Sequence, residues 1–120
     1  EPGGPGQAAG RGAALRGVNQ LHLTAQIESL GQLRYTPAGL AALDCSLKAE
    51  SEVVEAGQPR KVSLEIKAVV VGELVKALQG LGVGKPARFS GFLTHQRNGR
   101  GYVFHVTDLL PQPDAQDARP

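Results

Sequence analysis

GKPARFSGFLTHQRNGRGYVFHVTDLL, from Gly84 to Leu110, is the stretch on which the reading of the fold turns. Phe89, Gly91 and Leu93 alternate with Arg88, Ser90, Phe92 and Thr94. A period of two is what a half-buried strand requires, because successive side chains point to opposite faces. Tyr102, Phe104 and Val106 then alternate with Val103, His105 and Thr107. Between the two runs lies QRNGRG, whose Asn98-Gly99 tolerates the positive φ angles of a tight hairpin. The stretch predicts two strands joined by a short tip that displays Arg97 and Arg100 on a rigid base.

Immediately upstream the period changes. In GELVKALQGLG, Leu74, Leu78 and Leu81 stand at i, i+4 and i+7 and glycines follow at Gly80 and Gly82, which predicts a short helix from Glu73 to Gln79. Before it, Val62, Leu64, Ile66, Ala68 and Val70 alternate with Ser63, Glu65, Lys67 and Val69, the strongest strand signal in the chain. Val69 and Val71 carry apolar character to the second face, so the far end of this strand is expected to be covered twice. Leu43, Cys45 and Leu47 alternate with Asp44, Ser46 and Lys48, and Leu21, Leu23, Ala25 and Ile27 with His22, Thr24 and Gln26. Thr36-Pro37-Ala38-Gly39 reads as the turn between these two strands. ESEVVEAGQ, Glu50 to Gln58, breaks the alternation and reads as a flexible acidic loop between strands two and three, one that would repel phosphate.

Three strands, a short helix and a closing pair of strands is the layout of an all-β, five-stranded Greek-key OB barrel with one short helix between strands three and four. A small open sheet with a helix on one face is the alternative. Residues 1–18 and 111–120, rich in Gly, Ala and Pro or polar and proline-bearing, lack the apolar groups to offset the entropy of ordering and are expected to be a disordered leader and tail around a barrel over 19–110.

The 120 residues support one core of Leu, Val, Ile and Ala. A formal charge of +2 and a pI near 9.0 permit nucleic-acid binding only if the cations cluster. The single cysteine, Cys45, rules out an internal disulfide and falls on an apolar strand face. No run reaches the roughly eighteen apolar residues of a membrane span and no signal pattern opens the chain, which places the expected location in the cytoplasm, away from membranes. His22, His95 and His105 lack the spacing of a metal site, and no phosphate loop, Ser-His-Asp set or inward carboxylate pair is present. The expectation is a protein without catalytic activity, cofactor or metal.

What remains is positive charge interleaved with aromatic rings, the combination that holds single-stranded nucleic acid: cations follow the phosphates and rings stack on bases. Arg34, Tyr35, Lys48, Arg60, Lys61, Lys67, Arg88, Phe92, Arg97, Arg100 and Tyr102 supply both at outward or loop positions.

The run NQLHLTAQIESLGQLRYTPAGLAALDCSLKAES, with Asn-x-Leu-x-Leu and then Thr-Pro-x-Gly, resembles the opening of the PriB family, the primosomal replication proteins N, and more loosely the single-stranded DNA-binding proteins. VVVG at 69–72, VGKPARFSGFLTH at 83–95 and RNG at 97–99 extend the resemblance across Asn19 to Leu110. It implies an OB-fold homodimer that binds single-stranded DNA at the bacterial nucleoid and joins the PriA helicase and other primosome proteins in replication restart. Unlike the single-stranded DNA-binding proteins proper, the chain closes on DAQDARP, without an acidic, Phe-tipped tail.

Carried over by position, Arg60 matches a basic DNA-contacting residue, Arg97 stands in the place of a lysine on the loop joining strands four and five, and Arg100 and Tyr102 lie near a further basic position. Ser63 stands where the family pattern has a stacking Trp, Gln58 where it has an aromatic, and Glu50 where it has a base. With stacks worth ~1–3 kcal/mol each, these departures predict a shallower or relocated site that leans on Tyr35, Phe92, Tyr102 and the loop arginines. An interaction adaptor with weak DNA affinity is the competing expectation.

Overall fold

The computed structural model describes residues 16–96 and 100–112. Five strands and one helix follow in the order β1 (Leu21–Tyr35), β2 (Ala41–Glu55), β3 (Gln58–Val71), α1 (Leu74–Leu81), β4 (Pro86–His95) and β5 (Tyr102–Pro111). They close into a barrel in the spatial order β1-β2-β3-β5-β4, with β4 returning to β1. All neighbours are antiparallel except β3 and β5, which run parallel because α1 carries the chain across the barrel end between β3 and β4. This is the OB barrel expected from the alternation.

The inward set is the apolar set of each strand. Leu43, Cys45, Leu47 and Ala49 on β2 face Val70, Ala68, Ile66 and Leu64 on β3, and Phe89 and Ala87 on β4 face Leu23 and Ala25 on β1. Phe89, Phe104, Ile27, Leu47, Leu78 and Val70 are fully buried, and no polar or charged side chain among the described residues is. The core is therefore held by burial alone, at about 25 cal/mol per Å² of apolar surface. Asn19, just ahead of β1, adds a rung to the sheet. Its side-chain amide donates to the Leu93 carbonyl at 2.9 Å and accepts from the Leu93 N–H at 3.0 Å, as a paired peptide group would.

α1 is one residue out from the sequence reading at its start and two at its end. Its buried residues are Val75 and Leu78, with Leu74 and Leu81 partly buried against the core. The Gly82 N–H closes the helix on the Leu78 carbonyl at 3.3 Å. Of the two valines expected to be covered, Val69 is buried and Val71 is 39% exposed.

Two further expectations need correction. β1 does not end at Ile27 but runs to Tyr35, through register shifts at Ile27/Ser29 and Leu30/Leu33. Each shift inserts an extra residue, which breaks the period-two signal without breaking the strand. The Thr36–Gly39 turn then follows as expected: the Gly39 N–H donates to the Thr36 carbonyl at 2.8 Å, and the Leu40 N–H to Thr36 Oγ1 at 3.1 Å. Glu50 to Gln58 is not a loop. β2 and β3 stay paired from Ala42↔Val71 to Glu55↔Gln58, and only Ala56 and Gly57 turn the chain. Both have positive φ, 53° and 79°, the signature of a primed two-residue turn that matches the twist of the strands it joins. The distal half of this hairpin stands off the barrel as a two-stranded arm, exposed at every residue from Glu50 to Lys61.

Candidate nucleic-acid interface

The outward faces of the strands gather the candidate residues into three places. The first is a band across β2, β3, β5 and β4. Asp44 faces Val69, Val69 faces His105, and His105 faces Phe92. The His105 and Phe92 rings stack with centroids 5.0 Å apart and planes 11° from parallel. Phe92 remains 38% exposed, so part of the ring stays open to solvent beside its stacked partner. Lys67, exposed, shares this outward face of β3, opposite Ser46. Two strand spacings of about 4.8 Å across, and a two-residue offset of about 6.6 Å along the strand, put its backbone roughly 12 Å from Phe92, close enough to serve one chain of nucleotides.

Arg34 lies at the edge of the same band and is engaged. It grips Asp44 with both arms of the guanidinium, Nε donating to Oδ2 at 3.2 Å and Nη2 to Oδ1 at 3.0 Å. That hydrogen bond, and then the Asp44 charge, raise the guanidinium pKa above its ordinary value. The same carboxylate pushes the neighbouring Cys45 thiol further in the direction that burial has already moved it, up to about 11. Burial dominates, because the thiolate is the form that loses hydration. Cys45 is a packing residue and an inert thiol.

The second place is the arm. Lys48, half-buried at its base, faces Glu65; Lys61 faces Glu52; Glu50 faces Ser63. Arg60 forms an ion pair with Glu55 across the turn. An open groove of about 540 Å³ runs along this side, lined by Glu50, Ser51, Glu52, Lys61, Val62 and Ser63. Two carboxylates against one ammonium make it a poor seat for phosphate.

The third place is the β4–β5 hairpin. Arg88 is exposed between Thr24 and Leu110 and shares the outward phase of Phe92, four residues along β4. Tyr102, 59% exposed, tilts against His95 at 4.8 Å. Tyr102 shares the phase of Phe104 rather than of His105, so it does not join Phe92 on the outward band. Arg100 is exposed beside the tip, while Arg97 and the Asn98-Gly99 turn lie outside the described residues. Tyr35, 67% exposed, ends β1 opposite Ala41, away from Phe92. The structure thus brings Lys67, Phe92 and Arg34 onto one surface, with Arg88 further along the same face of β4, and leaves Tyr35, Tyr102 and the arm cations elsewhere around it.

Sequence reasoning left out His105, reading it as lacking the spacing of a metal site. The signal was available: an outward His on β5 opposite an outward Phe on β4 is a cross-strand aromatic pair. It also left out Asp44 and Glu55 as partners of Arg34 and Arg60.

A closed five-stranded barrel of this strand order, with charge and rings on its outer face, defines the class of OB-fold barrels. The profile described as another single-strand binding protein family matches residues 19–108. The replication restart protein PriB of Bordetella pertussis is 46% identical over 80 residues, covering 67% of this chain and 75% of that protein. The crystal structure of PriB from Ralstonia solanacearum superposes with a TM-score of 0.74 at 30% identity, over 81% of this chain and all of the other. The single-stranded DNA-binding protein of Thermus aquaticus gives a TM-score of 0.65 at 25% identity, over 85% of this chain and 53% of that one. The chain belongs to this single-strand binding protein family and, within it, to the PriB replication restart proteins.

Proposed function

We propose that this protein binds single-stranded DNA without sequence preference, does no chemistry of its own, and acts as a homodimer at the bacterial nucleoid, delivering DNA to the PriA helicase when replication restarts. The observation that carries the reading is the band on the barrel's outer face, where a stacked Phe92–His105 pair lies two strands from Lys67 in a chain of single-strand binding family membership. DNA is expected to cross this band, with Arg34 and Tyr35 at one edge, Lys48, Arg60 and Lys61 on the arm, and Arg88, Arg97, Arg100 and Tyr102 along the closing hairpin. Phe92 supplies the stacking platform that Ser63 and Gln58 cannot.

Titrating labelled oligo-dT at two or more salt concentrations tests this. Log K should fall with log salt at about −0.7 per phosphate contacted, and a chain that fails to bind oligo-dT at low salt is not a DNA-binding protein. Phe92→Ala should cost ~1–3 kcal/mol of binding with little change in thermal stability. Sedimentation equilibrium reads the dimer.

A second reading is favoured by one observation. Arg34 and Arg60 are both occupied by carboxylates of the same chain, and the arm groove is acidic. An adaptor that holds primosome proteins together and touches DNA weakly fits that charge pattern. Pull-down of PriA with and without DNA separates the two: DNA-independent capture favours the adaptor.

A further inference from the structure

Two of the arginines that would meet phosphate are already occupied within the chain. Arg34 is gripped bidentately by Asp44, and Arg60 is paired with Glu55. A guanidinium presents to carboxylate the same planar fork that it presents to phosphate, so each carboxylate holds the site that a nucleotide's phosphate would take. The Arg60–Glu55 pair follows from the hairpin register. Glu55 faces Gln58 and Arg60 faces Val53, which makes the two residues diagonal neighbours on one face of the arm. The tight Ala56-Gly57 turn fixes that register. Both partners remain well exposed, 61% and 63% at the side chain. An exposed pair of this kind is weak enough to be opened by a stronger ligand.

From this we infer that Glu55 is an internal competitor for the phosphate-binding face of Arg60, so that DNA engages the arm only by displacing it, and that Glu55 thereby sets both the affinity and the salt dependence of the arm. Asp44 plays the corresponding part at Arg34. The inference deepens the proposed single-stranded DNA function and rests on it. The residue names a specificity: polyanions that can place a phosphate on Arg60 and exclude Glu55 bind, and isolated anions compete poorly with a tethered carboxylate.

The test is a double-mutant cycle read by fluorescence anisotropy of labelled oligo-dT across a salt series. Glu55→Gln keeps the shape and removes the competing charge. Glu52→Gln is the matched control, since Glu52 faces Lys61 without an ion pair among the described residues. Glu55→Gln is expected to raise affinity about two- to fivefold and to steepen the salt slope by about 0.7, one phosphate contact. In an Arg60→Ala background that gain should disappear, whereas the smaller gain from Glu52→Gln should persist. Asp44→Asn with and without Arg34→Ala repeats the cycle at the second site.

The competition is overturned if Glu55→Gln gives the same gain in both backgrounds, gives no more than Glu52→Gln, or gives none. Failure of the unaltered chain to bind oligo-dT at low salt is a different outcome, and it removes the DNA function itself. Binding by the unaltered chain with no gain in Glu55→Gln removes only the competition.

Discussion

Gly91 offers the sharpest test of the barrel, because the space for a side chain there can be measured. β4 shifts register against β5 between Ser90 and Gly91, and the Gly91 backbone passes close beneath β5. A Cβ on residue 91 would lie 1.8 Å from the His105 carbonyl oxygen, 2.8 Å from its carbon and 3.0 Å from Val106 Cα. An ordinary carbon–oxygen contact is about 3.3 Å, so Gly91→Ala requires the two strands to part by roughly 1.5 Å. All three obstructing atoms are backbone and no side chain can swing aside. Parting the strands breaks the pairs Gly91↔Val106, Phe92↔His105 and Leu93↔Phe104 and opens the core at Phe104. Overpacking alone costs typically 1–3 kcal/mol; with the ladder broken as well, the loss should reach ~3–5 kcal/mol, a large share of the 5–15 kcal/mol by which a domain is stable.

At about 4 °C or more per kcal/mol for a domain of this size, the midpoint should fall by at least roughly 12 °C. Thermal melts followed by circular dichroism measure the midpoint, and urea unfolding measures the free energy. Gly80→Ala on the exposed face of α1, where an added Cβ meets nothing within 4 Å, serves as the comparison and should stabilise by ~0.5–1 kcal/mol. A Gly91→Ala protein within about 1 kcal/mol of the parent would refute the bulge geometry.

The arm's turn gives a second prediction: Ala56 holds φ 53° as an L-residue, which costs about 1–2 kcal/mol relative to a residue at ease there, so Ala56→Gly or Ala56→Asn should stabilise by up to ~1 kcal/mol in the same urea assay. A third concerns Cys45. With its pKa pushed up to about 11 from 9.0, the thiol should resist iodoacetamide near neutral pH until the protein unfolds. The raised value also ties stability to pH: the contribution is complete below pH 9 and is lost as pH rises through 11, because the unfolded thiol ionises first. Melts across that range should show a pH slope that Cys45→Ala reduces, and an unchanged slope would mean that burial does not disfavour the thiolate.

The inward half of the fold was open to sequence reasoning wherever a strand kept one face dry. Leu21 to Ile27, Leu43 to Leu47 and Phe89 to Leu93 alternate in the sequence and in the barrel, while Ile66 to Val70 ends with Ala68, Val69 and Val70 all buried. Where both faces meet water, as in Glu50 to Lys61, nothing forces alternation, and paired backbone there leaves no trace in side-chain type. The second half of β1 was hidden for another reason: its bulges shift the phase, so Leu30 and Leu33 no longer count as one series. Val75 was passed over in favour of a strict leucine stripe. The ion pairs depended on register. Arg34 and Asp44 are ten residues apart across the Thr36–Gly39 turn, beside the Leu30/Leu33 shift, and only the folded ladder shows that one fork reaches the other. Cations can be counted in a sequence, but whether each is available cannot.

The arm's separation from the core has an evolutionary consequence. Residues 50–61 contribute nothing to the buried cluster, and their register is held by backbone pairs and a two-residue turn. Substitutions there can add or remove charge and rings at almost no cost in folding, since surface changes usually stay within about 0.5 kcal/mol. Ligand affinity and fold integrity are thus separately adjustable traits in this barrel. If DNA crosses the arm as proposed, a lineage can drift from tight DNA binding to weak, or back, through changes there while Phe89 and Phe104 keep the barrel closed.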